Sequence, residues 1–537
     1  MTIKPNADVY STSSDNTNWI IHTNGQTTFT FNAPSGIITN VSFRNGNADV
    51  TPSSSSGAGT STYTVALASS TTFTGFEVTF YATSGSCGDN ATWELTTDDS
   101  NRYTVLTIGG SGAMNNYGHT TVDDIWRTTA PWGYDLRSVT IGDGITSIGD
   151  YAFIGCQQLS SLTIGSSVMS IGTNAFDHCD GLTEVTLPAS VSTIGDGGFK
   201  NCVGLTRVNI QYTEGLVTLG SSCFNGCNNL QYIVAPTPAL ALQYKDATNW
   251  SASAGKLRVA LGDYLFTATD EGGTAAYAIT NETDLRHLAA AINDNINGIA
   301  SGKTFRQTAN ITFGNTNFSP IGKNNDYYFN GTYDGGGYTI SGLHVTTLDG
   351  FQVYGLFGDA KNSTVKNVRL VNPTVNVSNA YAFGALIGRS KDFNVENCVV
   401  LNPTVEGSEG SKGAIIGRND NSTLQNLYFY GGNCDNAIGM GSGTNVGHAR
   451  KVTMGSGMGS VSPAATALSS TTDITNGFVY NNETYYREGL ALTLTTNLNI
   501  PTGQHAIYKA GTTTLDGNSF TVGNSDVTLS AELKYNT

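Results

Sequence analysis

Four cysteines stand at near-equal steps along the chain: Cys156, Cys179, Cys202 and Cys227, spaced 23, 23 and 25. Thiols repeated in this way could bind a soft metal or close disulfides. The metal set would be Cys202, Cys223 and Cys227, but zinc asks for four converging ligands and no histidine sits at a matching spacing. His178 adjoins Cys179, and on a strand-like backbone neighbouring side chains point to opposite faces. Disulfides fit no better. Equivalent positions of stacked strands lie ~4.8 Å apart with parallel side chains, a poor geometry for the bridge torsion. The expectation is a column of buried free thiols packing as small hydrophobes. Cys87, Cys398 and Cys434 are single positions, with Cys398 expected in a core.

The charged residues suggest no reaction. Glycoside hydrolysis needs two carboxylates across one sugar bond, and Asp334, in "YDGGG", reads as a turn residue. A lyase would need a base flanked by acidic groups, and Lys366, Arg369, Arg389 and Lys391 offer no such set in one stripe. The H-E-x-x-H pattern is absent. "GGSG" (109–112) lacks the strand–turn–helix setting of a nucleophile elbow, and the glycines of 439–447 precede no suitable helix. No catalytic residue, cofactor or metal is expected.

The elements that carry the cysteines repeat with them. Phe153, Phe176, Phe199 and Phe224 keep the same steps, as do Leu159, Leu182, Leu205 and Leu230. So do Leu162, Val185, Val208 and Ile233, and the pairs that begin at Ile148, Ile171, Ile194 and Leu219, each followed by Gly, which after the isoleucines is expected to permit a tight bend. A half-copy at 136–149 opens the array. Columns held in register over four turns predict a solenoid whose units share one core. In the strand-like part, inward and outward residues alternate. The outward, ligand-facing candidates are Ser161, Thr163, Glu184, Thr186, Arg207, Asn209 and Tyr232, with Ser138, Thr140 and Val234 extending the columns. Tyr232 is the most ligand-like, because an exposed aromatic offers contact area at low entropic cost. Trp126, Trp132 and Tyr134 read as packing of an end cap.

The pattern "SIGxxAFxxCxxLxxLxI" over about 136–236 resembles the leucine-rich repeats of BspA-like surface proteins, common in bacteria of the Bacteroides kind. Residues 87–117 and 130–133 look like the lead-in hairpin of that family, placed to cap the open solenoid end. Downstream, "AYAITNETDLRHLAAAIND" predicts a strand and an amphipathic helix with Asn281 or Thr283 as N-cap. The closing glycines of "GLFG", "GALIG" and "GAIIG" (358, 388, 417) and the leading Asn367, Asn397 and Asn426 recur at steps of 30 and 29. Asn at a repeated corner suits side-chain ladders or left-handed turns. With "FNGTYDGGGYTISGL", this second array is similar to the GLUG-motif β-helices of bacterial surface proteins over about 264–455. These resemblances imply adhesion to a host extracellular-matrix protein, a cell-surface glycan or other bacteria, at the outer surface or outside the cell.

Composition agrees. Charged residues make up only 12% of the 537, Gly is abundant at 64, and the net charge is −15. Phosphate backbones need concentrated Lys and Arg, so nucleic acid is excluded as a partner. No run reaches the ~18 apolar residues of a membrane span, and no signal peptide follows Met1. The fold class expected is mainly β and multi-domain: a leucine-rich-repeat solenoid plus a right-handed parallel β-helix, flanked by small β-sandwich-like domains. The boundaries are 1–83, 84–262, 263–460 and 461–537, in a monomer. Two rival readings are a carbohydrate-binding or polysaccharide-degrading protein using the β-helix groove, and a structural stalk or pilus-like subunit.

Overall fold

The structure is a computed structural model. It describes residues 83–536 apart from 101, 123–124, 297, 315, 468–473 and 503, and the backbone of strands between Asp8 and Ala82. The side chains that would define a β-sandwich over 1–83 lie outside the described residues. The fold is mainly β and is built on coiled repeats. It divides into two compact units, 1–236 with 243–257 and 237–242 with 258–537.

In the first unit each repeat supplies two short strands. Glu184–Leu187, Arg207–Ile210 and Tyr232–Ala235 form one parallel ladder in the register of the sequence columns, Val185 against Val208 against Ile233. Ile145–Ile148, Ser170–Ile171, Thr193–Ile194 and Thr218–Leu219 form a second. The phenylalanines stack between them, with centroids 5.1 Å apart from Phe153 to Phe176, 5.1 Å to Phe199 and 6.0 Å to Phe224.

Both ends of that column are closed by tryptophan. Trp132 stacks on Phe153 at 5.6 Å and donates from Nε1 to the Ala152 carbonyl, while Trp250 lies 5.9 Å from Phe224 and donates to Val217. The lead-in hairpin, Asn90–Thr97 with Tyr103–Ala113, starts the stack: its second strand pairs in parallel with Ser138–Ile141 and with the strand that begins at Ile145. It removes the open edge the solenoid would otherwise present.

The glycines after the isoleucines do not serve a left-handed bend. A Cβ on Gly172 would lie 2.5 Å from the Asp150 nitrogen, and one on Gly195 2.7 Å from that of Thr173. Glycine is needed because neighbouring coils touch backbone to backbone there. The left-handed positions are instead the columns Tyr151, Asn174, Gly197, Ser222 and Gly155, His178, Asn201, Gly226. His178 therefore sits on a turn rather than a strand.

The second unit opens with the strand Ala276–Ile279 and the helix Glu282–Asp294. Asn281 is its N-cap, accepting from the Asp284 nitrogen at 3.0 Å. Parallel ladders at the expected step follow, among them Phe357–Lys361, Ile387–Lys391 and Ile416–Asp420. Asn367, Asn397 and Asn426 turn the chain with φ of 59°, 54° and 54°, and Asn426 donates to Asn397 at 3.0 Å. The corner asparagines thus make the left-handed turns, and Asn426 with Asn397 one step of a ladder, while the Asn367 side chain donates to Asp334 instead.

The strand Thr444–Met454 pairs upstream with Thr423–Tyr430 and downstream with Glu483–Arg487 and Val527–Tyr535. It ties the C-terminal β module to the stack. The module's own core gathers Met458, Tyr486, Leu492, Leu494 and Leu529.

Candidate functional site

The strand face of the first unit is built by alternation. In Glu184–Leu187 the side chains run exposed, buried, exposed, buried. Val185 and Leu187 enter the core, so Glu184 and Thr186 are turned outward. Pairing then places Arg207 between Glu184 and Tyr232, and Asn209 beside Thr186. The result is one connected group. Asn209 Nδ2 donates to Glu184 Oε1 at 2.5 Å and to Thr186 Oγ1 at 3.3 Å, and Arg207 Nε donates to Asn209 Oδ1 at 2.7 Å. The Arg207 Nε to Glu184 Oε1 distance is 3.8 Å, an exposed ion pair worth about 0–1 kcal/mol by itself. Its value is orientation: the network holds long side chains in one arrangement. Tyr232, 36% exposed, borders it on the last strand.

Ser161 and Thr163 are exposed but pair with Ser138 and Thr140, so they belong to a separate ladder from Glu184. Val234 departs from the outward reading. The strand Tyr232–Ala235 buries its last three residues, since the end coil is covered where inner coils meet solvent. The aromatic run also divides. Trp132 is the cap residue, but Trp126 is 39% exposed and stacks on His119 at 4.3 Å, and Tyr134 lies under Arg127 at 4.4 Å.

All eight cysteines are free and buried. The repeated ones do more than fill space. Cys179, Cys202 and Cys227 donate to the carbonyls of Phe153, Phe176 and Phe199 in the preceding coil, at 3.3, 3.1 and 3.0 Å. Burial pushes the Cys156 and Cys179 thiols well up, and Cys223 to about 12, so these groups are not thiolate nucleophiles near neutral pH. Cys223 stands in the column of Ala152, Ala175 and Gly198, where its sulfur packs over Gly198. Among the described residues no group of three or more His, Cys, Asp and Glu could hold a metal ion.

In the second unit the buried carboxylates Asp334 and Asp359 are engaged with cations. Asp334 keeps its turn role, accepting from the Gly336 nitrogen at 2.9 Å, and is also buried against Arg306 at 3.2 Å and Lys366 at 3.8 Å. Asn367 donates to it at 2.8 Å. Asp359 is 1% exposed and meets Arg389 at 2.5 Å; burial raises its pKa, and the guanidinium opposes that rise. Arg369 is buried, with Nη1 donating to the carbonyls of Val368 and Asn397, and burial lowers its pKa to about 10. Lys366 and Arg389 therefore belong to different clusters, while Arg369 points into protein. The sequence missed the Arg306–Asp334–Lys366 convergence, although residues one coil apart, 28 and 32 positions on either side of Asp334, carried the signal.

A leucine-rich repeat stack with an outward polar strand face defines a class of protein that displays side chains on a rigid ladder. The particular kind follows from the repeat. Residues 132–245 match the family described as BspA type leucine rich repeat region, in six copies, so this part of the chain is a BspA-type repeat region. No curated protein matches the chain.

Among solved structures, the chain is similar to a leucine-rich repeat protein of T. pallidum, at 21% identity, covering 27% of this chain and 69% of that one, with TM-score 0.19. It is also similar to one from Eubacterium ventriosum, at 18% identity, covering 59% and 87%, with TM-score 0.21. A third is from Bacteroides ovatus, at 14% identity, covering 64% and 94%, with TM-score 0.19. These scores are too low to carry one molecule's architecture over to the other. No helix among the described residues is long and apolar enough to cross a membrane.

Proposed function

We propose that the chain is a non-catalytic binding protein of a bacterial surface or its surroundings, which holds a host-matrix protein or another cell-surface ligand on its leucine-rich repeat face. The observation that carries this reading is the Glu184–Arg207–Asn209–Thr186 network beside Tyr232, mounted on a BspA-type stack. A preorganised polar group loses little freedom on binding, and an adjacent aromatic supplies area. Affinity then comes from several modest contacts along a rigid ladder. A non-catalytic role agrees with Asp334 and Asp359, each tied to its own cations rather than set across a common cleft.

The test is a paired screen of the whole chain against immobilised fibronectin, fibrinogen, host cells and bacteria on one side and a glycan array on the other. A protein or cell ligand is expected, weakened roughly thirty-fold by Tyr232→Ala, the effect of an interface residue worth about 2 kcal/mol. Glycan hits alone that are unmoved by Tyr232→Ala and Glu184→Ala, or a protein or cell ligand indifferent to both substitutions, would remove this reading.

A further inference from the structure

The second unit carries a charged face that the leucine-rich repeat reading does not use. Its floor is the ladder of Phe357–Lys361, Ile387–Lys391 and Ile416–Asp420, in which Asp359, Arg389 and Arg418 are register partners, as are Lys361, Lys391 and Asp420. Like charges are thereby stacked on consecutive coils, Arg389 beside Arg418 and Lys361 beside Lys391, at the ~4.8 Å spacing of paired strands. Such neighbours repel and destabilise the sheet unless a counter-charge lies between them. Asp359 balances Arg389 from below, and Asp420 holds Arg418 at 2.7 Å. Lys391 is exposed and makes no ion pair among the described residues.

Tyrosines line this floor. Arg418 lies 5.1 Å and Arg389 6.0 Å from the ring centroid of Tyr381, which is 45% exposed. On another side, the loop at 323–328 reaches over the ladder: Asn325 Oδ1 accepts from Arg389 Nη2 at 3.1 Å and from Lys361 Nζ at 2.6 Å. The same loop sets Tyr328 4.3 Å from Lys361 and Tyr327 3.8 Å from Lys323. In a chain with 26 basic residues against 41 acidic ones, the five cations Lys323, Lys361, Arg389, Lys391 and Arg418 are gathered here beside three tyrosines and outnumber the carboxylates Asp326, Asp359 and Asp420 set among them.

We infer that this face binds an acidic polysaccharide, a chain of sugar rings bearing carboxylate or sulfate groups. Its anions lie along the Lys361–Lys391 and Arg389–Arg418 columns, and a ring packs on Tyr381. Cations repeated at strand spacing suit a polymer with repeated negative charge. Arg389 gives Nε and Nη2 to Asp359 and contributes mainly charge, whereas Arg418 is tied to Asp420 through Nε and keeps its two terminal nitrogens as the paired donors. A planar tyrosine face held by arginine suits a sugar ring and adds nothing for a flexible acidic peptide. Neutral glucans lack the charge, and a lone anion lacks the ring.

The experiment uses the full chain with polygalacturonate and dextran sulfate as the two anionic probes, and with dextran and polyglutamate as controls. Binding is read by affinity electrophoresis and calorimetry at low and physiological salt. At least one anionic polysaccharide is expected to bind and to weaken as salt rises, and the stronger of the two identifies the anionic group. Lys391→Gln and Tyr381→Ala change exposed side chains; each is expected to weaken binding about five-fold with an unchanged melting curve, and Tyr381→Phe to retain it. Equal binding of dextran or polyglutamate would overturn the proposal. So would the absence of binding to both anionic polymers, or affinity indifferent to Lys391→Gln and Tyr381→Ala. Glu184→Ala and Tyr232→Ala, on the leucine-rich repeat face, leave this binding intact.

Discussion

The leucine-rich repeat stack fills its interior with Phe and Cys, whereas the stack of the second unit turns its corners with Asn and buries Asp334, Asp359 and Arg369. The contrast begins at the turns. In the first unit the left-handed positions accept Tyr151, Asn174, Gly197 and Ser222 alike. There the backbone itself bonds from coil to coil: Tyr151 donates to the Thr173 carbonyl at 2.9 Å, Asn174 to Asp196 at 2.8 Å and Gly197 to Ser221 at 2.9 Å. Side-chain identity then matters little. In the second unit the corner side chains also bond along the stack, Asn402 to Asn372 at 3.2 Å and Asn421 to Asp392 at 2.8 Å. A residue that both tolerates positive φ and offers a donor and an acceptor is required, and asparagine meets both needs. The backbone joins the coils in both units, as from the Asn372 nitrogen to Leu401 at 2.8 Å and the Asn402 nitrogen to Tyr430 at 2.7 Å. A uniform asparagine column thus marks corners where the side chain adds a bond to that of the backbone.

The comparison can be broken first at the aromatic column. Phe176→Ala removes a ring stacked on both sides and is expected to destabilise the first unit by about 3–5 kcal/mol. All five tryptophans, at 19, 93, 126, 132 and 250, belong to that unit, so tryptophan fluorescence in a denaturant titration reads it selectively. A change below about 1 kcal/mol would mean that the column is not the main support. For the second unit the corresponding substitution is Asp334→Ala. It strands Arg306 and Lys366 beside an empty site and is expected to cost about 3 kcal/mol, seen by circular dichroism while the fluorescence transition stays in place.

Alkali separates the units by their thiols. Cys156, Cys179, Cys202 and Cys223 lie in the first unit, where burial raises Cys156, Cys179 and Cys223, and the Cys227 thiol together with burial raises Cys202. An unfolded thiol loses its proton near pH ~8.5 while the folded one keeps it. The unfolded state then binds fewer protons, so stability is complete below that pH and falls as pH rises toward the folded values, about 12 for Cys223. Each thiol contributes a loss of about 1.4 kcal/mol per pH unit within its window. The fluorescence-detected midpoint should fall more steeply between pH 9 and 10.5 than that of a variant with Cys156, Cys179 and Cys223 all changed to Ala. Parallel slopes would contradict the assignment.

The smallest effect sharpens the turn argument. Asn397→Gly keeps the left-handed backbone but loses the bond from Asn426, and about 1 kcal/mol is expected. Asn174→Gly in the first unit should change stability by less than about 0.5 kcal/mol, because Asn174 bonds along the stack through its backbone, which glycine keeps. Equal losses would remove the distinction between the stacks.

Much of this was legible in the chain. The columns of Phe153, Cys156, Leu159 and Leu162 predicted the first stack and its outward residues, and the steps of 30 and 29 predicted the second. Asn281, read as one of two N-caps, caps the helix. Other readings shifted because they depended on what lies one coil away. Gly172 is small because of Asp150, not because of its own φ, and Cys179 is a thiol that reaches Phe153. Val234, outward by alternation, is buried because it belongs to an end coil.

The sequence by itself determined the period, the core columns and the face of each strand, since these depend on side-chain alternation and local repeat alone. Only the tertiary structure decided which charges meet. Arg306, Asp334 and Lys366 come from three coils, and Tyr381, Arg389 and Arg418 from two. Coulomb and cation–π contacts act over a few ångströms of space, and coiling brings residues about 30 positions apart to within that range.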